Sequence, residues 1–356
     1  MIGRIPALYA LAALIATVQL SAQQPDDRLT AFRASSKVRL LEAPGPVPML
    51  YVPSAEEHAF QLQKSIEAAY AWDEKQLHLH VPVTLAVLDK DMWTRFRPGG
   101  PAYPAPTSFT SQGLVLLPDA GSGAIVPFHE LGHIFANSLK IWSGNNFVNE
   151  LIAGIFGVAY IRAERPDIEL APISAPFPAG TSPRYTSLAD LDYLYTGVGD
   201  KNYYWFQHQL EHLADSLVKG ESLPAVVEKL QAAFPSDHQK RETLEEIDAH
   251  LEGIQPGFTR IAGPLAGPST ITRIKPSACR DTSEKGGLSS TVTVIVIQND
   301  MAGPLAVTRP NGYTLTVPPH AASAALQIPV GASMKLSDGT CLVSRDEPTL
   351  AVIEKQ

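Results

Sequence analysis

At 356 residues, with 45% hydrophobic and 18% charged residues, the chain has the composition of a globular protein with an ample core. Its length favours two or three compact units over one. Its formal net charge of -8 argues against a nucleic-acid partner, because phosphate binding needs a basic surface.

Residues 1–22 have the features of a cleavable signal peptide. Arg4 supplies a positive charge, residues 5–18 form an apolar stretch, and Ala22 places a small residue at the cleavage position. An uncleaved N-terminal anchor is the alternative, but the stretch is shorter than the roughly 20 residues that a spanning helix prefers. We therefore predict an exported protein, secreted or periplasmic, with no membrane span in the mature chain.

The first half of the following domain mixes strand and helix patterns. Strands are predicted at residues 37–41 and 49–52. Ser54, with Glu57 three residues later, forms a capping-box signature that opens an amphipathic helix ending near Leu77. The candidate core positions of this helix are Phe60, Leu62, Ile66, Ala69 and Tyr70. Beyond it, the patterns predict a half-buried strand at 81–88, a Pro- and Gly-rich loop at 91–109 and a short strand at 113–118.

Helical patterns then dominate up to residue 253. Helices are predicted at 127–140, from 147 onward, and at 187–195, 201–218, 223–234 and 238–253, with a Pro-rich loop at 164–183. These elements predict an α+β domain over residues 23–262.

Short strands replace helices in the last part of the chain. They are predicted at residues 291–297, 305–308, 313–317, 324–328, 333–336, 341–343 and 349–353, as in a small β-sandwich. A cluster of Gly and Pro predicts the domain boundary, so that residues 263–356 form a C-terminal β-rich domain. The sequence leaves open whether Cys279 and Cys341 form a disulfide or stay separate thiols.

The chemistry of the chain is concentrated in the pentapeptide His-Glu-Leu-Gly-His at residues 129–133. Residues four apart share one face of a helix, so His129 and His133 can bind a single metal ion. Zn²⁺ at a catalytic site usually takes three protein ligands. Glu150, in the next predicted helix, is the candidate third ligand. Glu130 lies between the histidines and is the candidate general base.

Residues 55–253 resemble the gluzincin zinc metallopeptidases, especially the small bacterial group called peptidase MA-like. A long helix, a strand, an edge strand, the HExxH helix and an Asn-Glu-containing helix follow that family's order. The resemblance is specific at His129, Glu130, His133, Asn149 and Glu150. Leu151 departs from the pattern, because many gluzincins have Gly there; this change could narrow the space beside the metal but removes no ligand.

The resemblance implies a thermolysin-like catalytic domain with a small sheet, in which residues 113–117 form the edge strand along which an extended peptide lies. It also implies a downstream Tyr or His that stabilises the oxyanion. Tyrosines between residues 193 and 204 are candidates, and Tyr204 is the first choice. The alternative for each of them is an aromatic residue of the core or the cleft wall.

These residues predict an exported zinc metallopeptidase, an endopeptidase or aminopeptidase, that hydrolyses a peptide or protein substrate with metal-activated water and Glu130 as general base. A catalytically silent zinc-binding scaffold that acts as an extracellular binding protein is one alternative, although an intact Glu130 argues against it. A zinc amidase that acts on cell-wall peptides is another. The sequence carries no signal for cleavage specificity or oligomeric state.

Overall fold

The computed structural model of the chain describes residues 40–96, 106–119, 123–170, 181–235, 241–279, 291–323 and 326–354. These residues form an α+β protein, in which a mixed sheet and a set of helices precede a β-rich region. The predicted signal peptide at residues 1–22 lies outside this part of the chain. None of the helices within it combines the length and the apolar character needed to cross a bilayer.

The first sheet contains strands β1 (Leu41–Ala43), β2 (Met49–Tyr51), β3 (Thr84–Leu88), β4 (Thr107–Phe109) and β5 (Leu114–Pro118), in the order β1-β2-β3-β5-β4. Strand β3 pairs in parallel with both β2 and β5. Four of the five residues of β3 are buried. The prediction of a half-buried strand there is wrong, because parallel strands at the centre of a sheet are covered on both faces.

Strand β5 is not the edge of this sheet, and the prediction that residues 113–117 form the edge strand is wrong. Strand β4 pairs antiparallel with β5 and takes the outer position. Within the predicted loop at 91–109, the described residues include β4 and most of a short helix, α2 (Lys90–Phe96), which buries Trp93; residues 97–105 lie outside the described part of the chain. Gly113 connects β4 to β5 at φ 61°, where a Cβ would lie 2.1 Å from the carbonyl oxygen of Pro82.

The long helix α1 (Glu56–Leu77) ends where it was predicted to end but begins differently. A 3-10 turn at Pro53–Ala55 precedes it, and the N-cap, Ala55, makes no side-chain cap hydrogen bond. The predicted capping box at Ser54 is therefore wrong, because Pro53 starts the 3-10 turn one residue before the serine.

The core positions predicted for α1 are confirmed with one exception. Leu62, Ile66, Ala69 and Tyr70 are buried. Phe60 is 45% exposed, and its ring contacts the edge of Tyr51 with 5.5 Å between the centroids.

The other helices are α3 (Val126–Ser138), α4 (Asn146–Glu164), α5 (Leu188–Leu194), α6 (Asp200–Val218), α7 (Leu223–Ala233), α8 (Leu244–Ile254) and α9 (Phe258–Ala262). All but α9 lie where helices were predicted. Helix α4 packs between α3 and α6, and its stretch from Phe147 to Ile161 is buried almost without interruption.

The β-rich region consists of β6 (Thr272–Ile274), β7 (Ser277–Ala278), β8 (Val292–Asn299), β9 (Leu305–Thr308), β10 (Thr314–Val317), β11 (Ala321–Ala322), β12 (Leu326–Pro329), β13 (Ser333–Leu336), β14 (Thr340–Val343) and β15 (Thr349–Ile353). One sheet has the order β10-β9-β13-β14-β7, and the other has the order β11-β8-β15-β6 with β12 also paired to β8. Apolar side chains from both sheets, such as Ile295 and Met334, share one core. Cys279 and Cys341 form a disulfide with their Cα atoms 4.9 Å apart.

Helix α5 connects the β-rich region to the helices. The buried carboxylate of Asp190 accepts hydrogen bonds from Ser269 Oγ (2.7 Å), Thr270 N (2.7 Å) and Thr270 Oγ1 (2.8 Å). The hydroxyl of Tyr193 donates to Gln298 Oε1 on β8 at 2.6 Å. Apolar residues of the β-rich region also join the core of the helices, namely Ile271, Val296 and Leu350. The domain boundary at residues 262 and 263 stays a prediction.

Candidate metal centre

Helices α3 and α4 approach closely because glycines lie at their contact. A Cβ built on Gly132 would be 2.4 Å from the carbonyl oxygen of Ala153. A Cβ on Gly157 would be 3.2 Å from the backbone nitrogen of His129. A Cβ at Gly132 would collide with the backbone of Ala153, and one at Gly157 would be tighter than an ordinary contact, so the two glycines permit the close approach of the two helices.

This close approach brings the three predicted metal ligands together. His129 Nε2 lies 3.1 Å from Glu150 Oε2, and His133 Nε2 lies 3.8 Å from Glu150 Oε1. The three ligand atoms all lie within 4.8 Å of one another. Zinc bonds of about 2.0–2.2 Å in tetrahedral geometry place ligand atoms roughly 3.3 Å apart. The spacing therefore fits one metal ion held between the three side chains.

The donor set also fits a metal ion. Two imidazole nitrogens and one carboxylate oxygen are the ligands of one class of catalytic zinc site, which keeps a further position open. The carboxylate of Glu150 is buried, whereas the imidazoles of His129 and His133 are partly accessible. His129, His133 and Glu150 could thus hold a metal with one side open.

The charges within the triad favour the metal-binding form of Glu150 and His133, but not that of His129. Burial lowers the pKa of His133 to about 4, and only the Glu150 charge opposes this effect. Burial would raise the pKa of Glu150, but the hydrogen bond from His129 and the charges of both histidines hold that pKa well below its ordinary value. Burial would lower the pKa of His129, but the hydrogen bond to Glu150 and nearby carboxylates raise it. Glu150 is thus a carboxylate and His133 a neutral imidazole, the forms that bind metals.

The N-terminal turn of α4, from which Glu150 projects, is fixed by side chains. The buried side chain of Asp192 accepts hydrogen bonds from the backbone N–H groups of Asn146 and Phe147; burial raises its pKa, and the charge of Arg241 and these hydrogen bonds oppose that rise. The Asn149 side chain donates to the carbonyl of Ser143 at 2.8 Å and accepts from its N–H at 2.9 Å. Asn149 therefore clamps the loop before α4.

Three residues from α6 and the turn before it surround Glu150. The hydroxyl of Tyr195 donates to Glu150 Oε1 at 2.6 Å, and Gln207 Nε2 donates to Glu150 Oε2 at 2.8 Å. Gln207 Nε2 also donates to the hydroxyl of Tyr203 at 2.8 Å, and that hydroxyl donates to the Tyr195 hydroxyl at 3.3 Å. Burial and then the charge of Glu150 raise the pKa of both tyrosines well above the ordinary value, so both keep their protons.

The predicted catalytic residues differ in their relation to the triad. Glu130 lies on α3 and is buried, and its charge raises the pKa of both His129 and Tyr203. The side chain of Tyr204 is 48% exposed, and its ring contacts Tyr203 with 6.3 Å between the centroids. Of the candidate tyrosines, Tyr195 and Tyr203 contact the triad network; the role of Tyr204 stays a prediction.

Sequence reasoning overlooked Gln207 altogether. A signal for it exists, because Tyr203 and Gln207 are four residues apart on α6 and therefore share one helix face. The departure at Leu151 is accommodated within the core, where this side chain is fully buried.

No known protein-family model matches the chain, and no curated protein matches it. Among solved structures, the chain is similar to Legionella pneumophila aminopeptidase A, determined in complex with aspartic acid, with a TM-score of 0.41 and 14% sequence identity. The similarity covers 90% of this chain and 39% of that one. A likeness at this level assigns no function, so the function must be inferred from the metal centre itself.

Proposed function

We propose that the chain is a zinc metallopeptidase of the gluzincin type, with His129, His133 and Glu150 as zinc ligands. One observation carries the proposal: the ligand atoms of His129, His133 and Glu150 lie within 4.8 Å of one another. The donor set of two histidines and a glutamate supports zinc as the metal.

The residues around the triad supply the remaining chemistry of peptide hydrolysis. Zinc, when bound, lowers the pKa of water and polarises the scissile carbonyl. Glu130 would take a proton from the attacking water and deliver it to the departing amine. Tyr204, which is 48% exposed on α6, would donate a hydrogen bond to the oxyanion.

The substrate we propose is a peptide or protein bound in extended form. Strand β4 is the last strand of its sheet among the described residues, and it packs against α3, which carries His129 and Glu130. An extended peptide would add to β4 through main-chain hydrogen bonds, next to the ligand helix. Export by the predicted signal peptide would bring the enzyme to extracellular or periplasmic substrates.

The test is to purify the chain, measure its zinc content, and assay casein and a peptide library that includes cell-wall peptides. We expect about one zinc per chain and a loss of roughly 10²- to 10⁴-fold in cleavage for Glu130→Gln with zinc retained. His129→Ala should lose the zinc. A parent chain without zinc would refute the proposal.

Zinc binding without cleavage that depends on Glu130 would instead favour a binding scaffold. Cleavage confined to cell-wall peptides would favour the amidase alternative. Both outcomes can be read from the same set of proteins.

A further inference from the structure

The hydrogen bonds around Glu150 close a ring of four residues. Each carboxylate oxygen accepts one bond from outside the triad, Oε1 from Tyr195 at 2.6 Å and Oε2 from Gln207 at 2.8 Å. Tyr203 links the two donors, because it accepts from Gln207 at 2.8 Å and donates to Tyr195 at 3.3 Å. Both oxygens of the third ligand are therefore held by donors from outside the triad.

The direction of donation in this ring is fixed by chemistry. A carboxylate can only accept hydrogen bonds, and an amide nitrogen can only donate. The Gln207 amide must therefore turn its nitrogen towards Glu150, and this nitrogen uses its two protons on Glu150 and on Tyr203. Tyr203 then gives its proton to Tyr195, and Tyr195 gives its own to Glu150. Gln207 is the one member that supplies two donors.

The backbone at Tyr195 indicates that the ring holds a constrained geometry. Tyr195 has φ 47° and ψ -120°, a conformation that a bulky residue rarely adopts. Such conformations persist only where the surroundings over-determine them. The hydrogen bonds of the Tyr195 hydroxyl to Glu150 and Tyr203 are part of those surroundings.

We propose that Gln207 is a positioning residue of the metal centre, which fixes the carboxylate of Glu150 in the orientation that binds the metal. This inference rests on the proposed function, since it takes Glu150 as a metal ligand. Partners in the outer shell of metal sites orient the ligands, and their loss typically weakens metal binding by about 10- to 100-fold. Gln207 needs no contact with substrate in this role.

The experiment compares zinc affinity, by chelator competition on the purified full chain, among the parent, Gln207→Met, Tyr203→Phe and Gln231→Met. Methionine keeps the approximate volume of glutamine but removes both donors. Tyr203→Phe breaks the ring yet leaves both direct bonds to Glu150. Gln231→Met is the matched control, because Gln231 donates to the carbonyl of Leu139 at 2.9 Å outside the ring.

We expect zinc to bind about 10- to 100-fold more weakly to Gln207→Met. Tyr203→Phe should fall between this variant and the parent, and Gln231→Met should stay within about twofold of the parent. The visible absorption spectrum of the Co²⁺-loaded protein should change in Gln207→Met, because the ligand geometry changes. The spectrum of Gln231→Met should match that of the parent. Thermal unfolding of the zinc-free proteins separates these effects from a general loss of stability.

Zinc affinity and a Co²⁺ spectrum equal to those of the parent in Gln207→Met would overturn the role of Gln207 while leaving the proposed function intact. A parent chain that binds no zinc would overturn both. Should Gln207→Met fail to fold, an unchanged zinc affinity in Tyr203→Phe together with Tyr195→Phe would overturn the role of the ring.

Discussion

Replacing Gly132 by alanine is expected to weaken zinc binding by forcing α3 and α4 apart. A Cβ on Gly132 would lie 2.4 Å from the carbonyl oxygen of Ala153, whereas ordinary contact begins at 3.4 Å. The helices must therefore separate by about 1 Å, because a packed backbone yields less than a flexible side chain. His129 and Glu150 lie on the two helices, so the distance from His129 Nε2 to Glu150 Oε2 grows from 3.1 Å towards about 4 Å, away from the roughly 3.3 Å that separates ligand atoms around tetrahedral zinc.

From this displacement we expect zinc to bind about 10- to 100-fold more weakly. Overpacking should destabilise the fold by roughly 1–3 kcal/mol, partly offset by a gain of about 1 kcal/mol in helix propensity. Gly154→Ala is the matched control on the same helix, α4, where the nearest atom belongs to Ala214 on α6. Its Cβ would lie 3.6 Å from the Cβ of Ala214 and 3.9 Å from His129 Nδ1, which are ordinary contacts. This control should keep its zinc affinity.

The assay is chelator competition for zinc, together with urea unfolding of the zinc-free proteins. Gly157→Ala, whose Cβ would lie 3.2 Å from the backbone nitrogen of His129, should give an intermediate loss. If Gly132→Ala binds zinc as tightly as Gly154→Ala, the closeness of the two helices does not set the ligand geometry, and the reasoning fails.

Three further outcomes are expected. Asp73 is 2% exposed, and burial raises its pKa well above the ordinary value; because the folded state holds this proton more tightly, stability falls as pH rises from about 4 through the folded-state pKa. Asp73→Asn should lack this fall in stability and, in urea unfolding at pH 7, be more stable than the parent by about 1–3 kcal/mol. A stability-versus-pH profile like that of the parent would contradict the prediction. Replacing Cys279 and Cys341 by serine should cost about 4 kcal/mol in the chain-entropy model, given their separation of 62 residues, and a reducing agent should then have no effect on the variant's unfolding. Tyr204→Phe should lower kcat by about 10²-fold with zinc affinity unchanged, and an unchanged kcat would remove Tyr204 from the oxyanion role.

The metal triad could be predicted from the sequence because its geometry is mostly local. Helix periodicity alone places His129 and His133 on one face. Glu150 lies on the next helix along the chain, joined to α3 by a short loop, so few arrangements keep it away from the histidines. The continuous apolar run of α4 is itself typical of a buried helix, and the structure buries that run.

The errors concern positions where long-range contacts override local pattern. Residues 91–109 contain so many prolines and glycines that the pattern predicts a loop, yet pairing with β5 makes a strand at Thr107–Phe109. Phe60 was predicted to be a core residue of its helix, but its side chain is 45% exposed and packs on Tyr51 at the surface.

The hydrogen bonds around Glu150 could not be predicted from the sequence, for a different reason. Tyr195 reaches the carboxylate from a backbone conformation with positive φ, which no propensity assigns to tyrosine. Tyr204 and Tyr203 are adjacent in sequence, and only the rotation of α6 decides which of them faces Glu150.

The contacts of helix α5 limit which segment of the chain could be transferred to another protein, in evolution or by recombination, with the candidate metal centre intact. Residues up to 262 carry every candidate ligand, but on their own they would leave Asp190 without its donors Ser269 and Thr270, and Tyr193 without Gln298. Helix α5 would then be less well held. Tyr195, which donates to Glu150, follows immediately after the end of this helix. The candidate metal centre and the β-rich region should therefore be transferred together. In a chimera that contains the metal centre without the β-rich region, we expect the Glu150 side chain to be less well fixed.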